Sequence, residues 1–194
     1  MKQEIRERIE KIRKGEVPEG YKETNVGIIP VDWDVKTLGK IVMKFVNGGT
    51  PSRRFENYWN GNIPWITGAD ILNQEVSVIR RYITSDAVKN SSTNVIEKGN
   101  LLLVSRTGVG KVAIAPFDIA ISQDFTGIYV KNEELLTEYL YRYFNLNQST
   151  LQSQNQGTSI QGITRDTLSA IQIPLPPLPE QQKKAEIIST CDKA

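Results

Sequence analysis

Between about Tyr21 and Ile173 no apolar run continues for long before Gly, Asn, Ser or Pro interrupts it. This interruption limits the fold more than any other feature. Short apolar runs bounded by turn residues read as strands, whereas a helix needs a longer stretch with a period near 3.6. The pattern predicts strands at Met43–Asn47, Ile63–Thr67, Val76–Ile83, Leu101–Ser105, Val112–Ala115, Gly127–Lys131 and Ala170–Ile173. Thr84 or Ser85 is placed to cap a short helix over Asp86–Lys89. A longer helix from Thr137 would bury Leu140, Tyr143, Phe144 and Leu151. Many strands and few helices around one core make an α+β domain, here with a twisted mixed sheet.

The two ends read differently. The first fifteen residues place Ile5, Ile9 and Ile12 on one face of a charged helix, which Gly15 and Pro18-Glu19-Gly20 terminate. At the other end Pro174, Pro176, Pro177 and Pro179 form a stiff lead-in to a second helix, with Glu180 at its positive end. Ile187 or Ile188, Cys191 and Ala194 continue an apolar stripe along it. The organisation is a helical arm over 1–20, a globular domain over 21–176 and the start of a helix over 177–194. Within the domain, Gln152–Gly162 is polar, uncharged and glycine-bearing, and reads as an exposed loop.

The available chemistry is narrow. There is no histidine and only one cysteine, Cys191, which removes zinc sites and Ser-His-Asp or Cys-His catalysis. The stretch VSRTGVGKV (Val104–Val112) resembles a phosphate loop only at first sight. A Walker loop needs G-x-x-x-x-G-K-[ST]. Aligning on Gly110-Lys111 puts Ser105 where the first glycine belongs and Val112 where the hydroxyl belongs. A strand also follows, in place of the helix that would receive the phosphates. No NPPY-like methylation motif is present. The residues predict no catalytic centre, no metal and no cofactor of the chain's own. No apolar run nears the roughly 20 residues of a membrane span. The charged start carries no signal peptide, and the lone cysteine fits a reducing cytoplasm.

Net charge is only +2, yet cations cluster locally at Arg53-Arg54, Arg80-Arg81, Arg106 with Lys111, and Arg165. Local basic loops on a near-neutral protein suit contact with DNA through a limited surface. Six stretches carry a more specific message. They are IPVDWDVKTLG (Ile29–Gly39), NGGTPSR (Asn47–Arg53), YWNGNIPWITGADI (Tyr58–Ile71), SRTGVGKVAI (Ser105–Ile114), SQDFTGI (Ser122–Ile128) and IPLPPLPEQQKKAEII (Ile173–Ile188). In that order they resemble a target recognition domain of the specificity subunit of type I restriction–modification enzymes.

The resemblance implies a non-catalytic subunit that reads one half of a bipartite site in double-stranded DNA. Methylation with S-adenosylmethionine, and cleavage driven by ATP with Mg²⁺, would belong to partner methylation and restriction subunits. The chain departs from the family in having one recognition domain instead of two, as a natural half-subunit or a truncation would. Ser122 and Asp124 also stand where Asn and Gly are commoner. The expected DNA-binding residues are Thr50, Ser52, Arg53, Arg54, Arg106, Lys111, Gln123, Gln156, Ser159, Gln161 and Arg165. Arginine can read guanine through O6 and N7, amides can read adenine, and hydroxyls donate to phosphates. Gly108 and Gly110 permit a tight turn beside DNA backbone or a neighbouring strand. Ile5, Ile9, Ile12, Ile187, Ile188 and Cys191 would form a subunit or homodimer interface. The alternative function is a truncated assembly or decoy protein that docks on methylation subunits without reading DNA.

Overall fold

The computed structural model describes residues 3–154 and 162–191, the side chains of residues 187–191 excepted. Most of the interrupted apolar runs become short strands. In chain order the first elements are α1 (Gln3–Arg13), β1 (Tyr21–Thr24), β2 (Gly27–Pro30), β3 (Asp34–Thr37), α2 (Leu38–Ile41), β4 (Val42–Asn47) and β5 (Ile63–Ile66). Next come β6 (Ile71–Leu72), β7 (Glu75–Val76), β8 (Arg81–Ile83), α3 (Ser85–Lys89), β9 (Asn94–Ile96), β10 (Leu101–Val104), β11 (Val112–Ile114) and β12 (Ile119–Ile121). The chain continues with β13 (Phe125–Val130), α4 (Thr137–Leu146), α5 (Gln148–Ser153), α6 (Arg165–Ala170), β14 (Gln172–Leu175) and α7 (Leu178–Cys191).

The class is α+β, but two four-stranded sheets replace the single sheet expected. One has the order β11-β10-β13-β4 and is antiparallel. The other, β8-β5-β12-β9, is mixed, with β5 parallel to β12 and the other neighbours antiparallel. The sequence of β10 explains the stacking. Leu101-Leu102-Leu103-Val104 is apolar at every position, and a strand apolar on both faces must be covered on both. Leu102 and Val104 pack with Phe125, Tyr129, Ile66, Ile96, Ile119 and Ile121 between the two sheets. Leu101 and Leu103 pack the opposite way, with Ile128, Leu140, Phe144, Leu151 and Leu168 beneath the helices. A third layer holds Trp65, Ala120 and Ile83 of the mixed sheet against Ala87 of α3.

Local chemistry sets the boundaries. Thr84 caps α3, its hydroxyl accepting from the Ala87 N–H at 3.2 Å. Leu140 and Phe144 are buried as their spacing predicts, Tyr143 is half-buried and Tyr139 joins them, but the expected single helix breaks at Asn147, so Leu151 is buried from α5. The Tyr139 hydroxyl donates to the Pro174 carbonyl at 2.7 Å, and burial pushes its phenol well above the usual range.

Two expected strands are corrected. Val76–Ile83 is not continuous: Ser77 donates from its N–H to the Asp70 carbonyl and from its hydroxyl to that of Leu72, and β8 starts only at Arg81. Ala170–Ile173 begins inside α6, whose N-cap Thr164 accepts from the Thr167 N–H at 3.1 Å, and β14 starts at Gln172. The expected loop from Gln152 likewise begins in the last residues of α5.

The ends differ in how they meet the body. α1 buries no side chain; Ile5 and Ile9 are exposed and Ile12 is half-buried. α7 instead packs along α4. Its Gln181 is fully buried, accepting from the Leu136 N–H at 3.0 Å and donating to the Glu134 and Pro176 carbonyls at 2.9 Å each. Glu180 accepts from the Trp33 indole N–H at 3.0 Å.

Candidate nucleic-acid interface

The loop after β4 is fixed from below and open above. Its first two backbone amides donate into the core, Gly48 to the Phe125 carbonyl at 3.3 Å and Gly49 to that of Ile121 at 3.0 Å. A Cβ on Gly48 would lie 2.2 Å from the Ser122 carbonyl oxygen, so only glycine permits this approach. Two indoles then hold the loop. Buried Trp65 donates to the Gly49 carbonyl at 3.1 Å, and Trp59, edge-on to Trp65, donates to that of Ser52 at 3.3 Å. Trp59 and Trp65 thus anchor the loop. Thr50, Ser52, Arg53 and Arg54 are all left exposed.

A second turn, Ser122–Asp124, lies against the first. Ser122 is buried, its N–H donating to the Ile66 carbonyl at 2.9 Å and its hydroxyl to the Asp124 carboxylate at 3.3 Å. Asp124 therefore braces its own turn. Exposed Gln123 at the tip pairs through its side chain with the Thr50 hydroxyl.

The Asp124 carbonyl in turn accepts from Ser105 and Arg106 N–H groups at 2.7 and 3.2 Å. That contact sets the third turn, Ser105–Lys111, beside the other two. The Ser105 carbonyl accepts from the Ile163 N–H at 2.8 Å, which sets the segment leading into α6 beside the third turn. Arg165 is exposed and its guanidinium stands over the Phe45 ring at 5.8 Å.

The glycine-rich stretch is a hairpin turn between antiparallel strands. The Gly110 N–H donates to the Val104 carbonyl at 3.1 Å, and the Val104 N–H to that of Lys111 at 2.8 Å. Gly110 has φ +96°, which a side chain would strain. Lys111 does not face the open rim. Its ammonium donates to the carbonyls of Gly68 at 3.3 Å and Ile71 at 3.2 Å.

The cations sort by partner. Arg80 meets the buried Asp70 carboxylate at 2.9 Å, and Arg81 stands over the Trp65 ring at 5.0 Å. Among the described residues, Arg53, Arg54 and Arg106 meet no carboxylate within 4.0 Å. These three exposed residues, with Thr50, Ser52 and Gln123, lie on the three adjoining turns. A guanidinium group can grip phosphate or pair bidentately with guanine. Asn47, Ser92 and Asn94 are also exposed there, with the Asn94 amide donating to the Asn47 carbonyl at 2.8 Å. Sequence reasoning missed them, because isolated Asn and Ser residues at or near strand ends carry no signal of their own, and Asn47 and Asn94 lie 47 positions apart. Gln156, Ser159 and Gln161 lie outside the described residues, as do the side chains of Ile187, Ile188 and Cys191. Among the described residues no helix is long and apolar enough to cross a membrane.

Comparison with known proteins places this geometry in context. Residues 30–194 match the family model described as the type I restriction modification DNA specificity domain. The chain is 39% identical over 177 residues to the type I restriction enzyme MjaIX specificity subunit of Methanocaldococcus jannaschii, covering 89% of this chain and 40% of the relative. It is 33% identical over 169 residues to the EcoR124I/EcoR124II specificity subunit of Escherichia coli, covering 84% of this chain and 41% of that one. The chain thus spans about two fifths of these relatives' length. The crystal structure of the HsdS subunit from Thermoanaerobacter tengcongensis superposes with a TM-score of 0.69 at 20% identity, over 98% of this chain and 46% of that one. The S subunit from M. genitalium gives a TM-score of 0.62 at 17% identity, over 89% of this chain and 41% of that one. At those identities the two structures show a shared fold.

Proposed function

The chain belongs to the family of type I restriction modification DNA specificity domains, and on that basis we propose that it is a non-catalytic module reading a short stretch of double-stranded DNA. One observation carries this reading. Three loops, cross-linked through their backbones, present Arg53, Arg54 and Arg106, which meet no carboxylate within 4.0 Å among the described residues, beside Thr50, Ser52 and Gln123. Rigid presentation lowers the ordering cost of binding and favours base readout over diffuse attraction. Arg165, on the adjoining helix, supplies a fourth exposed cation.

The finer reading follows from the family. The recognised stretch is one half of a bipartite site, and a second recognition domain reads the other half. Methylation and restriction subunits in the cytoplasm bring S-adenosylmethionine, ATP and Mg²⁺ chemistry. α1 supports an assembly role: Ile5 and Ile9 stand exposed on a helix that buries nothing. A second copy of the chain, or a methylation subunit, would cover them. A chain that only assembles, without reading DNA, is the competing function.

Selection from a pool of random duplexes by the chain bound to its methylation subunits separates the two functions. The reading function enriches one sequence, and Arg53→Ala or Arg106→Ala weakens its binding. Removing a phosphate contact lowers the salt slope by about one, whereas losing a base contact relaxes one position of the site. No enrichment, or unchanged binding in both variants, leaves the assembly function.

A further inference from the structure

We propose that Lys111 is a positioning residue, a buttress that fixes the Arg106 turn for DNA and touches no DNA itself. The inference rests on the DNA-reading function above and adds a role within it. Exposed cations usually point outward, but Lys111 is half-buried and its ammonium points inward to two main-chain carbonyls, Gly68 and Ile71. Those carbonyls belong to the first residue of the single helical turn Gly68–Asp70 and to the residue that follows it. Buried Asp70 accepts from both the N–H and the hydroxyl of Thr67, at 2.8 and 2.9 Å, and pairs with Arg80.

A neighbouring contact locks the same junction. The Gln74 side chain accepts from the Val112 N–H at 2.8 Å, and the Tyr141 hydroxyl donates to the Gln74 carbonyl at 3.1 Å. Asn73 and Gln74 adopt φ of +50° and +61°, which non-glycine residues hold only when surrounding contacts impose it. The segment from Thr67 to Val76 is thus a strap across the hairpin, and Lys111 ties the turn to it. On the opposite side the turn is held by Asp124 and Ile163. Arg106 projects from a backbone clamped on both sides, with Lys111 as the only charged group of the clamp on the strap side that the turn itself supplies.

A buttress and a phosphate ligand behave differently. Binding of cognate and unrelated duplexes is measured across salt concentrations for the chain with its methylation subunits, as wild type, Lys111→Met, Arg106→Ala and the double variant. For a buttress, Lys111→Met weakens cognate binding about tenfold, the scale of a lost charged hydrogen-bonded link. The double variant then matches Arg106→Ala alone in salt slope and in affinity for both duplexes, because Lys111 acts through Arg106. A salt slope reduced by about one, with losses that add to those of Arg106→Ala, makes Lys111 a phosphate ligand and overturns the proposal. So does wild-type cognate binding by Lys111→Met. Wild-type binding that does not distinguish cognate from unrelated duplexes would instead remove the DNA-reading function. The buttress is then decided by the DNA-free, unmutated chain, which also serves if Lys111→Met does not fold. There the Lys111 ammonium protons exchange slowly with water if they are hydrogen-bonded as described. Exchange as fast as at surface lysines overturns the buttress.

Discussion

Replacing Gln181 by Leu removes one amide and little volume, so its effect measures the polar contacts that hold α7 to the body. The Gln181 side chain makes one accepted and two donated hydrogen bonds, to Leu136, Glu134 and Pro176, and is fully buried. Leucine leaves the Leu136 N–H and two carbonyls without these partners. A buried polar group left unpaired costs about 1–3 kcal/mol. Leu136 and Glu134 are only half-buried, so water recovers part of their loss, whereas Pro176 is buried. The expected destabilisation is about 2–4 kcal/mol. With a denaturant slope near 2 kcal/mol per molar, the urea midpoint falls by about 1–2 M. Trp33, bonded to Glu180 one residue earlier, reports undocking of α7 through its fluorescence. A midpoint within about 0.3 M of wild type, at an unchanged slope, would refute the reasoning that this amide pins α7.

Two further predictions concern other elements. Gly48→Ala drives a methyl group to 2.2 Å from the Ser122 carbonyl oxygen, a backbone atom that cannot step aside; calorimetry should show melting lowered by about 6–12 °C for a cost near 3 kcal/mol, and a shift under about 2 °C would mean the loop relaxes freely. Lys36→Met tests the half-buried Lys36–Glu134 pair, whose hydrogen bond depresses the Glu134 carboxyl and raises the Lys36 ammonium from their ordinary values of 4.5 and 10.5. The Glu134 contribution is present above pH 4.5 and lost as pH falls through its depressed value; that of Lys36 is present below 10.5 and lost as pH rises through its raised value. The variant is therefore slightly less stable than wild type through neutral pH and matches it in strong acid, as denaturation at several pH values would show; a difference that persists in strong acid would assign the effect to something other than this pair.

How much of this was legible depended on whether the deciding contacts were local. β10 could be read because four consecutive apolar residues admit only a strand covered on both faces, and α3 because Thr84 carries its own cap. The division into two sheets could not, since it is set by pairings such as Ala120 with Trp65, far apart in the chain. The β6–β7 hairpin turns on Asn73-Gln74, which lacks the glycine that usually marks such a turn, and its support comes from Val112 and Tyr141. Taking Ala170–Ile173 for a strand set β-branched Ile171 and Ile173 above the Thr164 cap that starts α6. At the candidate interface the same rule holds. Arg53 and Arg106 sit on turns marked by their glycines, so their exposure was readable. The inward direction of Lys111 was not, because its partners are Gly68 and Ile71, 43 and 40 positions away.

On the proposed function, Thr50, Ser52, Arg53, Arg54, Arg106 and Gln123 together choose a DNA sequence. Methylome sequencing decides this, in a host carrying the partner methylation subunits. Three strains suffice: wild-type gene, deleted gene, and a gene carrying Arg53→Ala with Arg106→Ala. An interrupted adenine-methylated motif should be present in the first strain, absent in the second, and lost or relaxed within one half-site in the third. The same motif, methylated to the same extent in all three strains, would contradict the account.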